Sequence, residues 1–181
     1  YAATNNGQFY KSTDNGFSFG IVANGLSTAD SMFTSKILTS TLDSEKILIS
    51  GSGYSNAAVF ISEDAGVSFQ PMIKGLPLTT VFDMAYNPDE SLIFAATEAG
   101  PYVYVVADES WYDMSKGYAP NQRYTCVEYV RLESDFGKDT DLIRFGTFGR
   151  GIWDFNLENT TSTSDNAIQG SSDNFKIVPN P

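Results

Sequence analysis

The chain has no histidine, one cysteine and four arginines among its 181 residues, and each scarcity removes a class of chemistry. Without histidine the chain cannot build a Ser-His-Asp or Cys-His nucleophile, and it lacks the commonest neutral-pH proton carrier and metal ligand. A single cysteine, Cys126, cannot form a disulfide within the chain. Because Cys126 lies in the alternating apolar stretch YTCVEYV, we predict a buried structural thiol.

Positive charge is also scarce. The chain carries 22 acidic against 11 basic residues, a formal net charge of −11. Such a surface repels phosphate backbones and anionic lipid headgroups, so nucleic-acid and membrane-surface binding are disfavoured. The sequence has no signal peptide and no run that reaches the roughly 18 apolar residues of a membrane span. It begins at Tyr1, without methionine and inside a strand-like run, which predicts a processed or truncated piece of a longer protein.

A repeat of roughly 45–50 residues runs through the chain, close to the size of a four-stranded propeller blade. In each copy a β-like run ends in small residues and Thr or Ser, a short turn follows, and an aromatic-rich run comes next. The anchoring positions are Thr4, Ser52, Thr97 and Thr147. The spacing therefore predicts an all-β fold made of antiparallel propeller blades.

Strands can be assigned within each copy. We predict them at 36–40, 46–50, 57–62 and 67–73 in the second copy, and at 81–86, 92–97, 102–106 and 110–114 in the third. The fourth copy has predicted strands at 124–132, 142–147 and 151–157 but no outer strand, and the first copy begins at its second strand. Uncovered sheet faces are unfavourable in water, so we expect further blades of a longer chain, or a partner, to cover both ends.

Composition divides the chain into three parts. The runs KILIS and SLIFAAT are apolar at successive positions, which is typical of strands covered on both faces. Residues 158–174 are nearly all Ser, Thr, Asn, Asp and Gly, as in a flexible linker. Residues 175–181, FKIVPNP, form a short apolar strand that leads into Pro-Asn-Pro. We predict propeller blades over 1–157, a linker over 158–174 and a separate tail over 175–181.

A shorter motif lies between the third and fourth strands of two copies. The order Ser-x-Asp-x-Gly-x-Ser-Phe occurs in KSTDNGFSF and again in ISEDAGVSF. The aspartate can accept N–H groups of its own turn, the glycine supplies a positive φ, and the phenylalanine can bury its ring beneath the turn. Each position therefore has a structural use, which outweighs direct ligand binding. The residues are Ser12, Asp14, Gly16 and Phe19, then Ser62, Asp64, Gly66 and Phe69.

These two segments resemble the Asp-box (BNR) repeat of sialidase-like, xyloglucanase-like and sortilin-like propellers. In that family the boxes sit at the outer rim, away from the ligand-binding face. The third copy departs from the pattern, because VADESWYDM keeps Asp108 and Trp111 but has no glycine. The resemblance implies that a binding surface should be sought on the face opposite the boxes.

The segment GTFGRGIWDF resembles the closing blade of secreted bacterial Asp-box propellers, where Thr-x-Gly-Arg-Gly-x-Trp recurs. Glycines on both sides of Arg150 would let the backbone turn tightly around it. Arg150 and Trp153 are candidate ligand contacts, since a guanidinium can bind a carboxylate or a sugar hydroxyl. The alternative is that Arg150 pairs with an acid of the next blade while Trp153 packs between blades.

Other candidate sites are weaker. The segment ESDFGKDTD offers Asp135, Asp139 and Asp141 around a glycine as oxygen ligands for Ca²⁺, but its order is not that of an EF-hand and a solvated hairpin loop is the alternative. We predict no other cofactor. Tyr54, Tyr102 and Tyr118 could stack on sugars or pack between blades.

The tail resembles the start of the C-terminal sorting domain of type IX secretion cargo, which opens with a strand leading into Pro-Asn-Pro after a polar linker. The matching residues are Pro179, Asn180 and Pro181. The resemblance implies export by the type IX machinery, through its translocon and shuttle proteins, to the outside or the outer-membrane surface of a gram-negative bacterium. The alternative is a frayed strand followed by a turn.

Three functions fit these observations: a secreted propeller that binds glycans or protein partners, the C-terminal part of a glycoside hydrolase whose catalytic blades lie upstream, and a structural or adhesive surface protein. A glycosidase needs two carboxylates at a defined separation, and no pair stands out from the turns. Sialidase-like chemistry needs three clustered arginines and a tyrosine nucleophile, which four late arginines cannot supply from several blades. No catalytic residue is assigned.

Overall fold

In the computed structural model, the secondary-structure elements of the described residues are β-strands apart from one short 3-10 turn. The structure describes residues 1–4, 8–22, 32–115, 119, 121–133, 140–158 and 176–180, with only the backbone described at 158 and 176–180. The strands of these ranges form four antiparallel sheets, which confirms the predicted all-β class with antiparallel blades. Within the same ranges no helix has the length and apolar character needed to cross a membrane.

Strands that are consecutive in sequence are neighbours in each sheet. The first sheet contains β1 (Ala2–Ala3), β2 (Phe9–Lys11) and β3 (Gly20–Ile21). The second contains β4 (Thr34–Thr39), β5 (Ile47–Gly51), β6 (Val59–Ser62) and β7 (Gln70–Pro71). The third contains β8 (Val81–Tyr86), β9 (Leu92–Thr97), β10 (Gly100–Val105) and β11 (Ser110–Asp113). The fourth contains β12 (Tyr124–Leu132), β13 (Thr140–Thr147), β14 (Ile152–Glu158) and β15 (Lys176–Asn180).

The predicted strands differ from the observed ones mainly next to turns. Strands β8, β9 and β12 have the predicted bounds. The predicted strand 67–73 shortens to β7, because residues before Gln70 belong to the turn that follows Ser62. All residues of β5 and β9 are buried, as the continuous apolar runs predicted for strands covered on both faces.

The prediction that the fourth sheet lacks an outer strand was wrong. Strand β15 pairs antiparallel with β14, with Phe155 opposite Pro179 and Asn156 opposite Val178. The backbone of residues 176–180, within the predicted tail, therefore forms the outer strand of the last sheet. Proline is compatible with this position, since an edge strand does not need every N–H group for pairing.

The described residues fall into two compact units, 1–82 and 83–181. In the first unit, Phe9 of β2 packs with Ile47, Ile49 and Phe60 of the second sheet. The Phe9 ring also contacts the Phe69 ring edge-on, with centroids 5.1 Å apart. The first two sheets are therefore held face to face by an apolar layer that reaches the turn before β7.

In the second unit a larger apolar cluster holds the third and fourth sheets together. The third sheet contributes residues such as Phe94 and Val103, and the fourth contributes Phe145 and Phe155. The rings of Phe145 and Phe155 meet edge-on at 5.6 Å between centroids. Burial of these side chains supplies most of the driving force for packing the two sheets.

Cys126 is exposed, so the prediction of a buried thiol was wrong. The pairing of β12 with β13 shifts register between Tyr124 and Cys126. Such a bulge breaks the two-residue alternation of a strand. The core therefore receives Tyr124 and Val127, and Cys126 falls with Glu128 on the other face.

Candidate functional site

Each sheet presents its turns at two ends. Because neighbouring strands are antiparallel, the turn from second to third strand lies at one end, and the turns from first to second and from third to fourth lie at the other. These second-to-third turns follow Ser52, Thr97 and Thr147 in the four-stranded sheets. The equivalent turn of the three-stranded first sheet, from β1 to β2, follows Thr4, and we name this end of each sheet the threonine-turn end. The first strand of a four-stranded sheet also begins at this end.

The first Ser-Asp-Gly turn joins β2 to β3 at the opposite end, and its polar groups bond one another. The Ser12 hydroxyl donates to Asp14 Oδ1 at 2.7 Å and accepts the Gly16 N–H at 2.8 Å. Ser18 donates its N–H to Asp14 Oδ1 at 2.9 Å and its hydroxyl to Asp14 Oδ2 at 2.5 Å. Both carboxylate oxygens of Asp14 are thus used inside the turn.

The second Ser-Asp-Gly turn joins β6 to β7 and repeats the same bonds. The Ser62 hydroxyl donates to Asp64 Oδ1 at 2.8 Å and accepts the Gly66 N–H at 2.8 Å. Ser68 donates its N–H to Asp64 Oδ1 at 2.8 Å and its hydroxyl to Asp64 Oδ2 at 2.6 Å. Two sequences that differ at the intervening positions therefore build one geometry, because the shared Ser, Asp, Gly and Ser carry all of these bonds.

These hydrogen bonds favour the charged carboxylates. Bonds from the hydroxyl and N–H of Ser18, then from Ser12, lower the pKa of Asp14 to about 2. The corresponding bonds from Ser68 and Ser62 lower the pKa of Asp64 to about 2. A carboxylate that already accepts several donors has little capacity left for a ligand, so both aspartates serve the turn.

The two turns differ in what lies beneath them. Both glycines have a φ of 90°. A Cβ on Gly66 would lie 2.5 Å from Cε1 of Phe9, whereas a Cβ on Gly16 would meet nothing within 4 Å. Phe69 packs on Phe9, whereas Phe19 is 48% exposed. The predicted burial of the final ring therefore holds for the second turn but not for the first.

The third sheet replaces this turn by a short 3-10 turn, Val106–Asp108. Asp108 accepts a hydrogen bond from the Tyr112 hydroxyl at 2.9 Å, so the fourth residue after the aspartate again supplies an O–H donor. Glu109 takes the left-handed conformation, with a φ of 49°. The missing glycine is thus accommodated by a tighter turn.

At the threonine-turn end, a threonine hydroxyl bonds within the turn of the third sheet and within that of the fourth. Thr97 Oγ1 donates to the Gly100 carbonyl at 2.7 Å and accepts the Ala99 N–H at 3.0 Å. Thr147 Oγ1 donates to the Gly151 carbonyl at 2.7 Å and accepts the Arg150 N–H at 3.1 Å. The residues that follow these threonines are therefore held in defined positions at the surface.

In the second unit, three side chains meet at this end, and we name them the Arg123 cluster: Glu98, Arg123 and Phe148. Arg123 Nη2 donates to Glu98 Oε1 at 2.6 Å, with both side chains part-exposed. The Arg123 guanidinium carbon lies 5.9 Å from the centre of the Phe148 ring, and Phe148 donates its N–H to the Arg123 carbonyl at 3.0 Å. The Phe148 ring is 75% exposed. The cluster thus presents an aromatic face beside a charged pair.

Arg150 and Trp153 were predicted as ligand contacts. Arg150 lies in the turn that follows Thr147, and Trp153 lies just after this turn, in β14. Trp153 Nε1 donates to the Arg150 carbonyl at 3.3 Å, and the indole is half-buried against the apolar cluster of its unit. Trp153 therefore braces the turn. The Arg150 side chain is exposed, and no ion pair to it is found within the described part of the chain.

Several predicted sites are not assembled by the described residues. Asp141 lies in β13 and faces Arg131 at 3.9 Å, whereas Asp135 and Asp139 lie outside the described residues. Within the described ranges, no group of three His, Cys, Asp or Glu side chains could hold a metal ion. Tyr102 is buried, Tyr54 is 62% exposed, and Tyr118 is not described. Pro179 and Asn180 lie in β15, and Pro181 is outside the described residues.

Sequence reasoning missed the members of the Arg123 cluster. Arg123 and Glu98 are 25 positions apart and meet only because neighbouring sheets pack together. One signal was present: Glu98 and Phe148 each directly follow the anchoring threonine of their copy. Aligning the repeat by threonine therefore places them at equivalent positions at one end of adjacent sheets.

No protein-family model and no curated protein matches the chain. Two solved structures share its fold. An ancestral GH74 enzyme has a TM-score of 0.63 and 16% identity, over 89% of this chain and 22% of that one. A GH74 enzyme from Niastella koreensis has a TM-score of 0.56 and 19% identity, over 82% of this chain and 24% of that one.

The chain spans about a quarter or less of the length of these two proteins. At such identities the likeness shows the fold alone. Together with the four antiparallel sheets, it shows that this chain consists of β-propeller blades that form an incomplete propeller.

Proposed function

We propose that these blades belong to a secreted glycan-binding propeller whose binding surface includes the Arg123 cluster. The observation that carries the proposal is the 75% exposed Phe148 ring beside the 2.6 Å pair of Arg123 and Glu98. An aromatic face can pack against the C–H face of a sugar ring, while guanidinium and carboxylate groups at its edge bond hydroxyls. The serines and aspartates of the Ser-Asp-Gly turns bond one another and are not offered to a ligand.

The fold supports the same ligand class. The two solved structures described above are GH74 enzymes, a type of glycoside hydrolase. The net charge of −11 disfavours polyanionic ligands, whereas a neutral oligosaccharide meets no such repulsion. A glycan is therefore favoured over a nucleic acid, and the choice between a glycan and a protein partner rests on the exposed aromatic.

A pair of matched variants tests the proposal. Binding of cello-oligosaccharides and xyloglucan oligosaccharides would be measured by calorimetry with the unmodified chain, Phe148→Ala and Phe17→Ala. Phe17 is 93% exposed but belongs to a Ser-Asp-Gly turn, so it controls for the loss of any surface aromatic. We expect Phe148→Ala to weaken binding about tenfold, as the loss of one stacked ring worth about 1.5 kcal/mol would. Equal effects of both variants would refute the proposed surface.

The second candidate is that the chain is part of a glycoside hydrolase whose catalytic blades lie elsewhere in a longer protein. The same two structures favour it, because each is an enzyme of which this chain matches 22% or 24%. The release of reducing ends from xyloglucan by the 181-residue chain would be compared with that by a longer chain carrying further blades. Hydrolysis by the longer chain alone supports this candidate, and absence of both hydrolysis and binding favours an adhesive or structural surface protein.

We further propose that the protein is type IX cargo, with the tail around Pro179 and Asn180 as its sorting signal. The support is the sequence alone: a polar linker, a short strand and Pro-Asn-Pro. The test is deletion of residues from 175 onward, with immunodetection of the protein outside the cell. Unchanged export of the deleted form would rule out this role for the tail.

A further inference from the structure

The fourth sheet acquires its last strand differently from the others. In the other three sheets a short turn joins the last two strands, β2 to β3, β6 to β7 and β10 to β11. In the fourth sheet, residues 159–175 lie between β14 and β15. The outer strand of this sheet is therefore supplied by a segment that is remote along the chain.

Strand β14 is an acceptor for such a segment. It pairs with β13 along one edge and with β15 along the other, from Asp154 opposite Asn180 to Glu158 opposite Lys176. Without β15 that second edge would expose unpaired N–H and C=O groups, which readily bind an extended peptide. Its own tail is the favoured occupant, because it belongs to the same chain as β14, and a tethered strand reaches a local concentration on the order of millimolar.

Because β15 pairs with the sheet along one edge, it can separate from β14 without breaking any other strand pairing. It is an edge strand of five residues, and Pro179 has no N–H group to donate. The closure entropy of the intervening segment rises only slowly with its length, so the segment neither prevents docking nor locks the strand in place. Strands β12 to β14 contribute buried side chains to the apolar cluster of the unit.

We propose that Lys176–Asn180 is a reversibly docked strand of the last blade, and that docking withholds it from an export receptor that reads an extended peptide. A backbone already paired with β14 cannot pair with a second acceptor along the same edge. The docking itself stands independently of the export proposal, whereas its consequence for sorting rests on that proposal. Export would then require undocking, which makes the last blade a gate on the signal.

Amide hydrogen exchange on the full chain tests docking. We expect the β15 amides to be protected about 10- to 1,000-fold, well below those of β13, because the docked strand opens without unfolding the unit. Val178→Pro should abolish this protection, whereas Ile168→Pro, which lies in the linker, should preserve it. Docking is overturned if β15 amides are unprotected, and reversibility is overturned if they are as protected as those of β13.

A disulfide lock tests the consequence. Asn156 and Val178 are opposite each other, within the reach of a disulfide, and Cys126→Ser removes the competing thiol. In the full-length protein, the locked variant is N156C/V178C with C126S, and the control is V178C. If the lock leaves fewer than about one tail in ten undocked, the amount of exported protein should be about tenfold lower for the locked variant than for the control. Equal export of both overturns the gate. If deletion from 175 onward also leaves export unchanged, the sorting proposal has failed instead.

Discussion

Replacing Gly66 by alanine tests whether the second Ser-Asp-Gly turn is part of the core or only a surface hairpin. The residue has a φ of 90°, and an added Cβ would lie 2.5 Å from Cε1 and 2.9 Å from Cδ1 of Phe9. Phe9 is 2% exposed and packs among Ile47, Ile49 and Phe60. The ring cannot move away without disturbing that layer, so the methyl group must displace the turn, the ring or both.

Gly16→Ala supplies the matched control. Gly16 has the same φ of 90° and the same bond to its serine, but its added Cβ meets nothing within 4 Å. We expect Gly16→Ala to cost about 1–2 kcal/mol from backbone strain alone. Gly66→Ala carries that strain plus about 1–3 kcal/mol of overpacking, for a total of about 2–5 kcal/mol.

The assay is amide exchange in β2 and β5, which reports the free energy of opening within the first unit. Tryptophan fluorescence would not serve, because Trp111 and Trp153 both lie in the second unit. If Gly66→Ala and Gly16→Ala destabilise these amides equally, within about 0.5 kcal/mol, the steric argument is refuted. Combining Gly66→Ala with Phe9→Leu should cost less than the sum of the two changes, since the smaller side chain makes room for the methyl group.

Three further predictions concern polar contacts. The pKa of Asp14 and Asp64 is lowered from 3.8 to about 2, so their contribution to stability is complete above about pH 4 and is lost as the pH falls through 2. The urea midpoint of unfolding should therefore fall over this range more for the unmodified chain than for D14N/D64N. Thr97→Val should cost about 1–3 kcal/mol in thermal unfolding, since the fully buried hydroxyl serves two turn bonds, whereas Thr147→Val, at a more exposed turn, should cost less. Asp154→Asn breaks a bidentate pair in which Arg144 donates to the Asp154 carboxylate from Nε and from Nη2, each at 2.8 Å. We expect a small loss of stability that shrinks in high salt. A loss that does not depend on salt would show that the charge is not its cause.

Much of the fold could be read from local chemistry. The runs that became β8, β9 and β12 have apolar residues of the right length and turn residues at both ends, so their bounds were predicted to the residue. The predicted strand beginning at 67 was too long because Val67 has a β-prone side chain, yet Val67 and Ser68 serve the preceding turn. Residue propensities do not show that Ser68 bonds to the Asp64 side chain instead of pairing with a neighbouring strand.

The predictions that failed depended on distant parts of the chain. Alternation in YTCVEYV placed Cys126 with Tyr124, but one bulge moved it to the opposite face. The outer strand of the fourth sheet was not predicted because its occupant follows residues 159–175 rather than a turn. In both cases the deciding quantity was how one strand registers against another, which no local pattern contains.

The sequence by itself determined the blade repeat, the Ser-Asp-Gly turns and the threonine turns, because their bonds join residues at most five positions apart. The repetition of Ser, Asp, Gly and Ser at fixed offsets is enough to specify one turn geometry twice. Only the tertiary structure brought Glu98, Arg123 and Phe148 together, and only it paired β15 with β14. These contacts depend on the packing of one sheet on another and on an unpaired strand edge, and both arise only after the blades have formed.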